Sequence, residues 1–265
     1  MLIDTHCHLD APEFDHDRIQ VIQRSIHSGV HCMVVPAVER SNFQTVIDLA
    51  AANPACAYAL GIHPLYVQQA QDADLDDLRT IVATNAPVAI GEIGLDFYVE
   101  GLDRERQAFF FTEQLKIAQD ADLPVILHVR KSIDDILKHL RRIAVKGGIA
   151  HAFNGSRQQA DMLIEMGFKL GFGGAMTYPR ALRIRELAEK LPLEAIVLET
   201  DSPDIPPEWL GHQGRNTPQE LPRIAGVLAE IRGESIDKIW TATTKNAQQV
   251  LPKLAQLYTP PHVLL

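Results

Sequence analysis

Pro124-Val-Ile-Leu-His128-Val-Arg130-Lys131-Ser132-Ile-Asp-Asp-Ile-Leu-Lys-His-Leu-Arg-Arg-Ile143 changes its hydrophobic period in mid-course. Up to His128 the run is continuously apolar, as in a parallel strand covered on both faces. Beyond Ser132 the apolar positions become Ile133, Ile136, Leu137, Leu140 and Ile143, which form one stripe of a helix. Ser132 stands where an N-cap belongs. Asp134 and Asp135 fill the first turn and Arg141 and Arg142 the last, with the signs that the helix dipole favours. The stretch reads as a buried strand feeding an amphipathic helix.

The same unit recurs along the chain. Strand-like runs end near His8, Pro36, Ile62, Glu92, His128, His151, Gly173 and Asp201. Helix-period segments lie near 15–28, 41–53, 74–85, 103–121, 156–166 and 180–190, with two more near 217–232 and 235–250. Eightfold strand–helix alternation is the signature of a closed α/β barrel, the (β/α)8 TIM barrel. An open doubly wound sheet is the alternative, but no glycine-rich fingerprint follows the first run. No repeat or linker divides the chain, so a single domain over 1–265 is expected, with a loosely held tail from about 252 that contains Pro260-Pro261.

Composition narrows the function classes. Apolar residues make up 46% and charged residues 22%, ordinary values for a water-soluble globular chain. No apolar stretch approaches the length of a membrane span, and the short apolar start has no basic lead of a secretory signal. Cys7, Cys32 and Cys56 are odd in number and sit in strand-like runs, so they read as buried thiols of a reducing, cytoplasmic compartment. The net charge of −9 argues against a protein that wraps duplex nucleic acid. A polyanionic substrate would have to be held locally, by a few cations and by metal.

Barrels of this class carry their active sites at the carboxyl ends of the strands. Those ends supply His6, His8, His63, Glu92, His128, His151 and Asp201. On a strand His6 and His8 share a face and Cys7 opposes them. Several buried polar side chains around one axis with no common partner would be costly, so a shared ligand is indicated. Four imidazoles and two carboxylates exceed what one tetrahedral site with an open position can use. Two divalent ions roughly 3.5–4 Å apart would use them all. Glu92, the acid ending the fourth run, is the natural bridge. Two divalent cations outweigh two carboxylates and a hydroxide, and the resulting positive pocket suits a phosphodiester while permitting a neutral amide or ester.

Asp4-Thr-His6-Cys-His8-Leu-Asp10, Gly61-Ile-His63-Pro64, Gly91-Glu92-Ile-Gly-Leu-Asp96, Pro124-Val-Ile-Leu-His128-Val-Arg130, His151-Ala-Phe153 and Glu199-Thr-Asp201-Ser-Pro203 occur in that order. Together they resemble the motifs of the TatD-type metal-dependent deoxyribonucleases, in the amidohydrolase superfamily, and within them the YjjV-like branch. The resemblance runs from Asp4 to about Asn246. It implies that His6, His8, Glu92 and Asp201 hold one metal, that Glu92, His128 and His151 hold a second, and that His63 meets the substrate phosphate. It also implies hydrolysis of DNA or RNA ends, commonly 3′ to 5′, with Mg²⁺, Mn²⁺ or Zn²⁺. The nitrogen-rich donor set favours Zn²⁺ or Mn²⁺ at the tighter position. On that reading Asp201 is the general base for a cation-activated water, Glu92 shares in catalysis as the bridge, and Thr5, Asp10 and Glu199 orient ligands.

Departures from the family pattern bear on substrate. Relatives often have His-x-Arg-Asp-Ala where this chain has His128-Val-Arg130-Lys131-Ser132, and an aromatic where it has Asp204. Their basic lead is thinned to His212-Gln-Gly-Arg215-Asn216-Thr-Pro218. Arg130, Arg215 and Asn216 remain candidate substrate contacts, and Trp209 either stacks a base or packs on its own loop. The expected partner is single-stranded or frayed DNA or a small phosphodiester, met by a monomer. One rival is hydrolysis of a small ester, amide or lactone, D-aminoacyl-tRNA deacylation included, by the same centre. The other is a non-enzymatic nucleic-acid scaffold, disfavoured by the acidic charge and the intact ligand set.

Overall fold

Strand β1 (Leu2–Asp4) pairs in parallel with β2 (Val30–Pro36), and β2 with β3 (Cys56–Ala59). A second parallel run joins β4 (Ile90–Asp96), β5 (Val125–Arg130), β6 (Gly148–Ala150), β7 (Phe168–Phe172) and β8 (Ile196–Leu198) in chain order. The two arcs meet at both ends in this computed structural model, which describes residues 1–257. Leu60 bridges Ile90 on one side. On the other, the Thr5 N–H and hydroxyl both donate to the Leu198 carbonyl, at 3.1 and 3.0 Å. The result is an eight-stranded parallel α/β barrel.

Helices clothe the ring: α1 (Arg18–Ser28), α2 (Phe43–Ala52), α3 (Ala73–Thr84), α4 (Arg104–Asp120), α5 (Ile133–Leu140), α6 (Arg157–Glu165) and α7 (Leu182–Lys190), then α8 (Leu221–Arg232) and α9 (Ile236–Val250) after β8. Each begins and ends within a few residues of its amphipathic pattern, because the apolar stripe is what packs on the strands. In α5, Ile136, Leu137 and Leu140 are buried as the stripe requires. Ser132 precedes that helix, but its hydroxyl donates to the Leu95 carbonyl at 2.6 Å and does not cap it.

Ile3, Val34, Ala59, Ile126, Ile149 and Val197 touch one another although they come from six different strands, which places them inside the ring. Leu251 and Leu254 join them from the end of the chain. Residues 252–257, expected to be loose, therefore begin as a further helix, α10 (Pro252–Leu257), with Leu254 fully buried. A proline is tolerated at a first helical position because that N–H has no partner to lose. Pro260-Pro261 lies outside the described residues. No helix among the described residues is long and apolar enough to cross a membrane. All three cysteines are buried thiols.

Several strand ends differ from the sequence expectation. β1 stops at Asp4, so His6 and His8 follow the strand. The segment leaves the regular strand register there: the Thr5 and His8 N–H groups turn to Leu198 and Ser202 on the β8 side and the Cys7 N–H to Val34 of β2 at 3.0 Å, yet the Nε2 atoms of His6 and His8 still come within 3.2 Å of each other. β3 stops at Ala59, short of Ile62. β4 and β5 run past Glu92 and His128 to Asp96 and Arg130, which pair with each other. Gly94 permits this, since a Cβ there would lie 2.0 Å from the His128 carbonyl oxygen.

Candidate metal centre

Two groups of donor atoms meet on Glu92. Its Oε2 lies 3.2 Å from His6 Nε2 and 3.6 Å from His8 Nε2. Asp201 Oδ1 lies 3.4 and 3.6 Å from the same two nitrogens, which are 3.2 Å from each other. Glu92 Oε1 faces the other way, 2.9 Å from His128 Nδ1, 2.8 Å from His151 Nε2 and 3.3 Å from His63 Nε2. Donors at tetrahedral corners ~2.1 Å from a shared ion stand about 3.4 Å apart. The first group has that spacing throughout. The second is slightly tighter, with His128 Nδ1 and His151 Nε2 at 3.5 Å. The donor set thus fits two divalent cations, with Glu92 between them.

Hydrogen bonds on the far side of each ring separate ligands from donors. His128 Nε2 meets Asp96 Oδ2 at 3.0 Å, which keeps the proton there and leaves Nδ1 as a lone pair toward the site. His63 is the reverse case. The Leu65 N–H donates to its Nδ1 at 3.2 Å, so the neutral ring carries its proton on Nε2 and points a donor into the site. In that tautomer His63 offers a donor to an acceptor, although its Nε2 also stands with Glu92 and His128 in a group whose spacing suits an ion. Asp4 holds the other wall: it accepts from the His6 and Thr200 backbone N–H groups and from the Thr200 hydroxyl.

Charge states follow from burial and neighbours. Burial pushes His6 down to about 3 and His63 down to about 4, so both rings are neutral at pH 7. Burial alone would raise Glu92, but the charge on His151 and a hydrogen bond from His128 outweigh it and hold the carboxyl well below the usual range. Against its own burial, His151 is raised to about 10 by the Glu92 charge. Asp201 is raised by burial. Its backbone is left-handed at φ 55°, a strained state for a non-glycine residue, held by its N–H to the His6 carbonyl at 2.9 Å.

The remaining candidates are placed differently. Glu199 is buried, accepts from the Ala152 N–H, and lies 3.9 Å from His151 Nδ1. Burial raises its carboxyl to about 8. Thr5 closes the β1–β8 seam rather than orienting a ligand side chain. Asp10 accepts from the Asn42 amide at 2.8 Å, tying two loops together instead of supporting a ligand. Asn216 is fully buried and its amide donates to the Thr200, Asp204 and Ile205 carbonyls, so it builds the Asp201 loop rather than meeting substrate. Arg215 is occupied by Asp17 at 2.7 Å. Trp209 packs on its own loop, donating to Glu220 at 2.7 Å beneath Arg223. Arg130 is exposed at the end of β5, stacked on Tyr98. Sequence reasoning assigned no role to Asp96 or Asp4. Both share strand parity with a neighbouring ligand, Asp96 with Glu92 and Asp4 with His6, and that parity was the available signal.

Fold and site together define a parallel (β/α)8 barrel with a candidate two-cation centre at the carboxyl ends of its strands. The chain belongs to the TatD-related DNase family, whose model matches residues 3–252. It is 42% identical over 248 residues to the uncharacterized metal-dependent hydrolase YjjV of Escherichia coli K12, covering 92% of this chain and 95% of that one. The crystal structure of YjjV superposes with a TM-score of 0.91 at 41% identity, covering 95% of this chain and 98% of the other. Human deoxyribonuclease TATDN3 is 30% identical over 269 residues, 97% of this chain and 96% of that one. A TatD-family hydrolase of Entamoeba histolytica shares the fold, with a TM-score of 0.84 at 21% identity over 94% of this chain and 97% of its own.

Proposed function

We propose that this protein is a metal-dependent phosphodiesterase that hydrolyses single-stranded or frayed DNA ends with two divalent cations. The observation that carries the reading is the division of Glu92: each carboxylate oxygen faces its own cluster of imidazoles. Cations held there would polarise a phosphoryl oxygen and lower the pKa of a water toward neutrality. The protein's own groups do the rest. Asp201, at the edge of the His6–His8 cluster and raised by burial, accepts the proton of the attacking water. The His63 Nε2–H, fixed by the Leu65 amide, donates to a phosphate oxygen. Asp96 holds the His128 ring in place by a hydrogen bond, and Glu199 stands 3.9 Å from His151 Nδ1, beyond hydrogen-bond range. The names of relatives such as deoxyribonuclease TATDN3 support nucleic acid as the substrate class.

The test is a digest of end-labelled single-stranded DNA beside bis-p-nitrophenyl phosphate and p-nitrophenyl ester panels. Chelator-sensitive shortening of the DNA is expected, with restoration by Mn²⁺ or Zn²⁺. Cleavage of the esters alone would move the assignment to the small-ester reading.

A further inference from the structure

Beside the metal centre, Asp96 does two things at once. Its Oδ2 meets His128 Nε2, while its Oδ1 accepts from the Tyr98 and Val99 N–H groups at 2.8 and 3.0 Å. The carboxylate that orients a candidate ligand thus also shapes the turn that displays Tyr98. The Phe97 N–H donates to the Arg130 carbonyl at 2.9 Å, locking that turn to the end of β5. The Tyr98 side chain is left 52% exposed. The Arg130 guanidinium lies 3.9 Å from its ring centroid and Lys131 Nζ lies 4.7 Å away.

Two features of this group ask for a ligand. Among the described residues, neither Arg130 nor Lys131 has a carboxylate within ion-pair distance; other cations such as Arg141 and Arg142 also lack one, but Arg130 and Lys131 are the two that stand together over one exposed aromatic ring. In a chain of net charge −9, two adjacent cations left without acids are available to an anion from outside. Lys131 is also held left-handed at φ 56°, and such strain gathers at ligand clamps. An exposed cation–π pair is itself a weak stabiliser, so folding alone does not account for the grouping.

We infer that Tyr98, Arg130 and Lys131 form a nucleotide platform at the mouth of the barrel. A base of the single strand stacks on the free part of the Tyr98 ring, and a backbone phosphate sits on the two cations. The platform rests on the nucleic-acid reading above and names how the strand is gripped. Acidic overall charge then restricts binding to strands whose bases are free to stack.

The test uses full-length Mn²⁺-loaded protein carrying Asp201→Asn to prevent digestion, with a short single strand bearing 2-aminopurine near its end. Stacking should quench the fluorophore. Tyr98→Phe should preserve the quench; Tyr98→Ala should abolish it and weaken binding about ten-fold. Arg130→Gln and Lys131→Gln should each lower the slope of log affinity against log salt by ~0.7. In the Asp201 background, Tyr98→Ala should turn over bis-p-nitrophenyl phosphate within two-fold of the parent, which shows an intact centre. Quenching and affinity unchanged in Tyr98→Ala would overturn the platform while leaving the DNase reading standing if DNA is still digested. A parent that binds no oligonucleotide and cleaves only esters would remove both.

Discussion

Five imidazoles lie within 3.6 Å of the Glu92 carboxylate, and what each does is decided by the atom behind it. His128 has a carboxylate behind it and His63 a backbone amide, so the same ring type is set up as a candidate ligand in one place and as a donor in the other. Asp96→Asn should therefore weaken cation binding at the His128 position by about 10–100-fold, read by competition with a chelating dye. Unchanged binding would leave Asp96 with only its role in the Tyr98 turn. Asp201→Asn should lower turnover by roughly 10²–10⁴ with the fold retained by circular dichroism. Near-normal turnover would assign the proton transfer to another group.

The raised His151 gives a pH dependence whose sign can be worked out. Its folded value near 10 lies above the free value of 6.5, so in metal-free protein its contribution to stability is full below about 6.5 and is lost as pH rises through about 10. A cation needs the neutral ring, so binding at pH 7 must expel a proton. Calorimetry in buffers of different ionisation enthalpy should show proton release, and apparent affinity should climb between pH 6 and 8. Affinity independent of pH over that range would contradict the assignment.

At the scale of elements, the helices were legible and the loops between strand and helix were not. Helix periods are local: α5 or α9 declares its buried face within a few turns. Strand ends are set by pairing partners that lie far along the chain. From sequence, the fourth run ends near Glu92; in the structure it continues through Gly94, where a side chain would collide with the His128 carbonyl of β5. The candidate cluster was legible because histidines and acids recur at run ends. Asn216 was misassigned for a related reason, since nothing local shows that its amide will be consumed by three carbonyls of a neighbouring loop. Asn216→Ala should cost about 1–3 kcal/mol of stability and lower turnover through Asp201. A changed KM with an unchanged unfolding midpoint would instead restore the substrate-contact role.

Taken whole, the barrel consists of a three-strand arc and a five-strand arc. The His6, His8, Glu92 and Asp201 cluster draws on both, whereas Glu92, His128 and His151 all belong to the larger one. Divalent cations that bind only the folded protein should raise its unfolding temperature, by about 2.7 kcal/mol of stabilisation when present at a hundred times their dissociation constant, and a chelator should reverse this. A midpoint insensitive to cations would argue against a preformed centre.

The divided ring would also make two bound cations unequal. One would work as a clasp across the seams between the two arcs, where a few backbone hydrogen bonds, Gly91 N–H to Leu60 and Asp201 N–H to His6 at 2.9 Å among them, stand in for a long ladder. The other would merely decorate a panel already stitched together. Deuterium uptake at the Gly91 and Asp201 amides should slow when the first ion enters and change little with the second, which would make that first ion the fastener that shuts the hoop.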